Sequence, residues 1–501
     1  MNYGYLLGID VGTSATKVAL YDFKLTLIDS FSQGYEVETP HPGWSEQHPD
    51  IWWEATKACI IKPSKKHNIK LIKSIGITGQ MHGLVLLDLD GKPLRPSIIW
   101  CDQRSAVECN EITKLVGKKR LIDITANPAL SGFTASKIRW IAKHEPDIFA
   151  RCSHILLPKD YIRYKLSGMF ATDMSDASGT QLLDITNRCW SPEMLSILNI
   201  KEDQLPKLFE GPQICSFVNE EASQEIGLEI GTPIVAGAGD QAASAIGSGI
   251  IQEGAISLTI GSSGVLFATT KKPLIENKGR YNTFCHALPN LWHVMSVTQG
   301  AGASLKWFKD QFCDVEIAEA KQKNIDVYDL LSLRASKIPL GSDGVIFLPY
   351  INGERSPHLN PHARGIFFGL SSFHNKDHML RAVFEGISFS LFECFEVMKS
   401  NGLLAERLIV AGGGARSDFW MQILADVFTI PMARTDVSDA GTLGCAILAG
   451  LGIGVFSSPL EAIKQRIKIT SVIYPLDNLK RPYDFVYRKF CKIYKQMKPL
   501  F

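Results

Sequence analysis

A chain of 501 residues is too long for one ordinary hydrophobic core and should divide into two or more domains, each able to bury a stable interior. Hydrophobic residues make up 45% and charged residues 21%, a globular composition. With 53 basic against 51 acidic side chains the net charge is +2, so charge gives no reason to expect a nucleic acid or an anionic membrane as partner, and any anionic ligand has to be held by local geometry.

The N-terminus, Met1-Asn2-Tyr3-Gly4, carries no basic segment ahead of an apolar core, so no signal peptide is expected. Eleven scattered cysteines, without a CxxC pair or zinc-like spacing, read as reduced thiols of a cytoplasmic protein. Residues 5–7 and 17–21 read as strands that pair as a hairpin around Gly8-Ile9-Asp10-Val11-Gly12-Thr13-Ser14-Ala15-Thr16-Lys17. That turn reads as a phosphate cradle, because backbone amides and hydroxyls can face an anion with no large side chain in the way. Asp10 repels phosphate, so a carboxylate there makes sense if Mg2+ or a coordinated water lies between them.

Further along, a turn over 43–46 leads to a helix from Pro49 that Pro63 ends. Strands at 71–77 and 84–87 flank a polar loop, Thr78-Gly79-Gln80-Met81-His82-Gly83, at a strand end where sites tend to lie. Residues 98–100 suggest a short strand, and 132–144 a helix with Trp140 and Ile141 buried and Lys137 and Lys143 solvated. A helix closing at Gly168 follows, then a small polar loop over 173–180. At 233–241 an apolar strand delivers Asp240 onto a glycine turn at the start of a helix, near the positive end of its dipole. Residues 248–254 read as a hinge, which divides the chain into halves at 1–249 and 250–501.

The second half repeats the opening grammar. Leu258-Thr259-Ile260-Gly261-Ser262-Ser263-Gly264 is an apolar strand running into a small-residue turn before another strand, and two cradles imply two similar halves. Gln299-Gly300-Ala301 precedes an amphipathic helix, and Asp377 is placed to cap a long helix with Leu380, Phe384, Ile387, Leu391 and Cys394 on its apolar face. A buried strand at 408–411 ends in Gly412-Gly413-Gly414-Ala415, a third glycine turn that a flat base can rest against. Residues 441–456 are glycine-rich and too short for a membrane span, hence a closely packed buried helix, and the basic, aromatic tail from Leu479 reads as a terminal helix docked on the body.

Walker, protein-kinase and GxGxxG signatures are absent. Two cradled halves and a glycine shelf instead describe an actin-like ATPase arrangement of α/β domains. Phosphoryl transfer there needs a positioned acceptor oxygen and a base within reach, and Asp240 is the candidate base.

At this point the chain resembles the FGGY carbohydrate kinases over essentially its whole length. Residues 132–144 fit the family's first signature, and Gly365-Ile366-Phe367-Phe368-Gly369-Leu370 followed by residues 378–385 fits its second. Gly79-Gln80-Met81-His82-Gly83 and Asn352-Gly353-Glu354-Arg355-Ser356-Pro357-His358 are similar to the members that phosphorylate D-xylulose, whereas glycerol-phosphorylating members carry an arginine and an acid in the first loop.

The resemblance implies two ribonuclease-H-like domains with the active site in the cleft between them, ATP and Mg2+ as cofactors, and a cytoplasmic enzyme, as a dimer, acting on the terminal C5 oxygen of D-xylulose. It implies that Asp240 accepts the sugar proton, that Asp10 is needed for activity and organises Mg2+, and that Met81, His82, Trp100, Asp102 and Gln241 line the sugar pocket. Gly12, Thr13, Ser14, Lys17, Gly261, Ser262, Ser263, Gly264, Gly300, Gly412, Gly413, Gly414 and Ala415 fall on its ATP side. Cys101 stands where Asn or Gln is more usual, and Asp439-Ala440-Gly441-Thr442 replaces a Glu-led version at the implied adenine end. The rival readings are a kinase of ribulose, gluconate or glycerol, and an actin-like or chaperone-like ATPase indifferent to sugars.

Overall fold

The computed structural model describes residues 4–501, so the part of the leader reading that rested on Met1, Asn2 and Tyr3 lies outside the described residues. Strands β1 (Tyr5–Val11) and β2 (Ala15–Asp22) form the expected hairpin, in register from Tyr5 opposite Asp22 to Val11 opposite Thr16. β3 (Leu27–Gly34) continues the antiparallel meander, α1 (Pro49–Ser64) packs against it, and β4 (Ile72–Gly79) returns parallel to β1. An insertion then contributes α2 (Thr134–His144), α3 (Pro158–Ser167) and the single turn α4 (Met174–Ala177). β5 (Ile214–Phe217), β6 (Pro233–Val235) and β7 (Ala238–Gly239) complete a mixed sheet of order β5-β6-β4-β1-β2-β3, with β7 also on β4. β7 leads directly into α5 (Asp240–Gly247).

The second sheet repeats this plan. β8 (Ile256–Ile260) and β9 (Gly264–Thr270) form the hairpin, and β10 (Asn282–Cys285) and β11 (Trp292–Thr298) extend it on the side of β9. After α6 (Gly302–Phe312) and α7 (Lys376–Ser400), β12 (Leu408–Ala411) pairs in parallel with β8, as β4 does with β1. α8 (Asp418–Phe428), β13 (Met432–Thr435), α9 (Ala440–Gly452), β14 (Ile469–Ile473) and α10 (Lys480–Met497) follow. α7 buries Leu380, Phe384, Ile387, Leu391 and Cys394 as its periodicity predicts, and α10 docks through Tyr483, Phe490, Ile493 and Tyr494. The result is a two-domain α/β fold with a mixed sheet in each half, the arrangement of ribonuclease-H-like domains.

Helix α9, from the second half of the chain, lies on the first sheet. A Cβ on Gly8 would stand 2.3 Å from the Thr442 carbonyl oxygen, and one on Gly76 2.2 Å from that of Cys445, so paired glycines on β1 and β4 admit the helix backbone. Leu443, Ala446, Ile447 and Leu448 thereby join Leu6, Ala19, Val235 and Ile246 in one buried cluster. Among the described residues no helix is long and apolar enough to cross a membrane, and all eleven cysteines are free thiols.

Local structure differs from the sequence reading in five places. Residues 174–180 are helical and mostly buried rather than a loop: the Asp173 carboxylate, at a strand end, caps them by accepting the N–H groups of Ser175 and Asp176, and the Ser178 and Thr180 hydroxyls donate to nearby carbonyls. Lys137 is fully buried, not solvated, because its ammonium finds the carbonyl oxygens of His82 and Gly132. α7 is capped by Asn375, which accepts from Asp377 and His378, so Asp377 sits inside the first turn. The strand expected at 98–100 is limited to Ser97–Ile98, and Thr78 and Gly79 stay within β4, which shortens the substrate-like loop.

Candidate active site

Asp10 is the penultimate residue of β1 and Asp240 the first of α5, and their carboxylates are near enough to repel each other. The Asp10 pKa is raised to about 7, by burial first and then by the charges of Asp240 and Asp439, against the opposing charge of Lys17. Burial likewise raises Asp240 to about 6, while the backbone and side chain of Gln241 hold it down. The Gln241 N–H reaches Asp240 Oδ1 at 2.7 Å and fixes the carboxylate at the helix start.

Asp439 caps α9 by accepting the Thr442 N–H and pairs with Lys17 at 2.6 Å. The segment read at the adenine end therefore lies beside Asp10, and a Cβ on Gly441 would stand 3.0 Å from Asp10 Oδ2. Residue types alone missed this because a helix cap 429 positions from Asp10 leaves no local signal; only the packing of α9 on β1 brings it in.

The first hairpin turn is closed by Gly12 N–H to the Ala15 carbonyl at 3.0 Å, and the Tyr35 hydroxyl donates to the Gly12 carbonyl at 2.6 Å. Trp100, 45% exposed, donates its indole N–H to the Thr13 hydroxyl at 2.9 Å, which in turn donates to Gln80 Oε1 at 3.3 Å. Ser14 is exposed on the same turn. This ladder ties the phosphate-type turn to the loop that carries Met81 and His82.

Met81 is buried over β7: a Cβ on Gly239 would come within 3.0 Å of Met81 Cγ, one residue before Asp240. His82 adopts a left-handed backbone, φ 70°, held by Lys137 Nζ and Thr134 Oγ1, which both donate to its carbonyl at 2.8 and 3.2 Å. Its ring Nδ1 lies 2.9 Å from the Gly179 carbonyl, and a carbonyl only accepts, so Nδ1 carries the proton. Burial, helped by the charges of Lys137 and Arg355, pushes the His82 pKa down to about 3. The imidazole is neutral at pH 7 and keeps Nε2 as an acceptor. Lys137, Gly179 and Arg355 belong to this environment without having been singled out for roles; the signal was present only as membership of longer motifs.

Asp102 is placed behind the site rather than in it. Its carboxylate is fully buried, bonds Arg104 at 2.7 to 3.0 Å and accepts the Ser45 N–H at 2.6 Å, leaving its charge already matched. Trp100 and Gln241 do border Thr13 and Asp240.

In the second domain a cavity of about 360 Å³ opens between Gly261, Ser262, Tyr328, Asp329, Gly413 and Gly414. Gly261 and Ser262 are exposed at its edge, their carbonyls accepting the Gly302 and Ala303 N–H groups at 2.9 Å, and the Gly261 N–H closes the turn on the Ser263 carbonyl at 3.0 Å. Gly264, Gly300, Gly412 and Ala415 do not line it. A Cβ on Gly300 would strike the Pro349 carbonyl and one on Gly412 that of Ile260, so these glycines permit close packing behind the cavity. No residue of the first hairpin turn lines the cavity.

The described residues contain no cluster of three or more His, Cys, Asp or Glu that makes a metal cage. Mg2+ needs none when phosphate oxygens and water complete its shell around one or two carboxylates. The crowding of Asp10 by two other carboxylates fits a place where a cation relieves repulsion.

Models of the FGGY family of carbohydrate kinases match the chain, the N-terminal domain over residues 5–247 and the C-terminal domain over 256–453. The chain is 37% identical over 495 residues to a xylulose kinase of Escherichia coli, covering 99% of both, and 34% identical to a gluconokinase of Bacillus licheniformis, covering 96% of this chain and 93% of that one. A solved xylulose kinase from Lactobacillus acidophilus superposes with a TM-score of 0.92 at 28% identity, covering 99% of this chain and 98% of its own. The chain belongs to the FGGY family of carbohydrate kinases.

Proposed function

We propose that this kinase moves the γ-phosphoryl group of ATP onto D-xylulose, giving xylulose 5-phosphate, with Asp240 as general base. The observation that carries the reading is the position of Asp240: at the start of α5, beside Met81 and within electrostatic reach of Asp10. With a pKa of about 6 the carboxylate is ionised at pH 7 yet basic enough to take a proton from a hydroxyl. The Gln241 N–H holds the carboxylate through Oδ1 and fixes its orientation. As the proton passes to Asp240, the hydroxyl oxygen attacks the γ-phosphorus and the bond to ADP breaks.

Adenosine occupies the second-domain cavity, and the phosphates run toward Thr13, Ser14 and Lys17. Mg2+, held through Asp10 and phosphate oxygens, would neutralise charge on the transferring group. Closure of the lobes 1–249 and 250–501 brings ATP against the sugar and excludes water. Full-length similarity to xylulose kinases supports the acceptor, and the gluconokinase of Bacillus licheniformis supports gluconate as the second reading.

Phosphorylation measured across D-xylulose, D-ribulose, D-gluconate and glycerol tests this choice. The expected result is a kcat/KM highest for D-xylulose. A higher value for gluconate replaces the acceptor, and ATP consumption indifferent to every sugar removes the kinase reading.

A further inference from the structure

Arg355 is a cation without an acidic mate among the described residues. It makes no ion pair among the described residues, and its guanidinium bonds one side-chain oxygen, Asn282 Oδ1, at 2.8 Å. Burial alone lowers its proton affinity, with no carboxylate to offset the loss.

Its surroundings are built. The neighbouring Glu354 carboxylate accepts the N–H groups of Arg355 and Gln299 at 2.6 and 3.0 Å, fixing the backbone at the end of β11. Asn282 donates to Asn127 Oδ1 at 3.0 Å, so the arginine is tied across to the first domain. Asn282 and Phe284 share a face of β10 because side chains two apart point the same way. Phe284 lies 6.0 Å from the His82 ring, centroid to centroid, and the Arg355 charge reaches His82. The bond to Asn282, whose strand neighbour Phe284 lies beside His82, places the arginine at the His82 end of the sugar site.

We propose that Arg355 and His82 together read the end of the acceptor remote from Asp240, and that the chemistry they select is a hydroxyl next to a carbonyl. Arginine offers only donors and suits a carbonyl oxygen, which has no proton of its own to place. His82 Nε2, an acceptor because Nδ1 carries the proton, takes the hydrogen of the adjoining hydroxyl. The pair is thus complementary to the hydroxyketone end of a ketose and matches a pentitol less well. This inference rests on the D-xylulose reading above.

The test compares wild type, Arg355→Gln and Arg355→Lys on D-xylulose and xylitol with MgATP. Wild-type turnover of D-xylulose tests the function; the variants test the arginine, and if another sugar proves to be the acceptor they are read with it and its reduced alcohol. Arg355→Gln should raise the KM for D-xylulose roughly 10- to 100-fold, leave kcat and the KM for ATP within about 3-fold, and shrink the preference over xylitol, with Arg355→Lys partly restoring it. A rise in the KM for ATP, or a fall in kcat with the sugar KM held, assigns Arg355 to the phosphoryl group and overturns the proposal. Equal losses on both sugars also overturn it, as a purely structural role.

Discussion

Lys17 on β2 and Asp439 at the cap of α9 meet at 2.6 Å, which joins the first phosphate-type hairpin to a helix from the far end of the chain. Both act on Asp10: Asp439 raises its proton affinity and Lys17 lowers it. Asp439→Asn is expected to shift the acid limb of kcat/KM for MgATP to lower pH, and Lys17→Met to higher pH, because in the proposed site Asp10 attracts the metal only when ionised. Profiles of wild type and both variants check this; shifts in the same direction contradict it.

Lys137 stabilises the strained His82 backbone from inside the protein. Lys137→Met leaves the Gly132 carbonyl without its ammonium donor and the His82 carbonyl with Thr134 alone, and should cost about 1–3 kcal/mol. Burial lowers the Lys137 pKa to about 7, so between about pH 7 and the ordinary lysine range the unfolded chain holds a proton that the folded protein has released. Wild type therefore gains stability relative to Lys137→Met as pH rises from 7 to 10. Urea unfolding of both proteins at pH 6.5 and 9.5 measures the difference.

Gly179 leaves room for the histidine. A Cβ there would lie 2.4 Å from His82 Nδ1 and 3.2 Å from Met81 Cε. Gly179→Ala should displace the imidazole and lower kcat/KM for the sugar by about 100-fold. Nucleotide binding in the second-domain cavity should hold, as fluorescence titration with ADP can show.

The hairpins, the strand–Asp240–helix junction and the buried helix within 441–456, which ends at Gly452, were legible because each is local: alternation or helical spacing runs up to a glycine turn. Asp173 and Lys137 were misread for one shared reason. Polarity in sequence looks like solvent exposure, yet both are buried where backbone groups satisfy them. Asp439 was read at the adenine end and Arg355 only as part of a motif, because packing between distant segments sets their surroundings. Asp102 carried the right residue type for a sugar pocket, but Arg104 two residues on takes its charge.

With Asp240 as the proposed base, the pH dependence of catalysis follows from its carboxylate. Its pKa of about 6 means that kcat/KM for the sugar falls as pH drops through 6, where the base becomes protonated. The same shift makes the charged form unfavourable in the folded state: stability from this group is greatest below the ordinary aspartate pKa and declines as pH rises through 6. Asp240→Asn should accordingly hold or raise the melting temperature of the nucleotide-free protein at pH 7.5. A fall in melting temperature contradicts the burial cost assigned to this carboxylate.

The most direct measurement is ADP formation with and without D-xylulose in wild type and Asp240→Asn, with ADP affinity measured in both. Wild type should release ADP on addition of the sugar, and the variant should be slower by about 10²- to 10⁴-fold while binding ADP equally well. Sugar-dependent turnover that survives in Asp240→Asn would show that another group takes the proton.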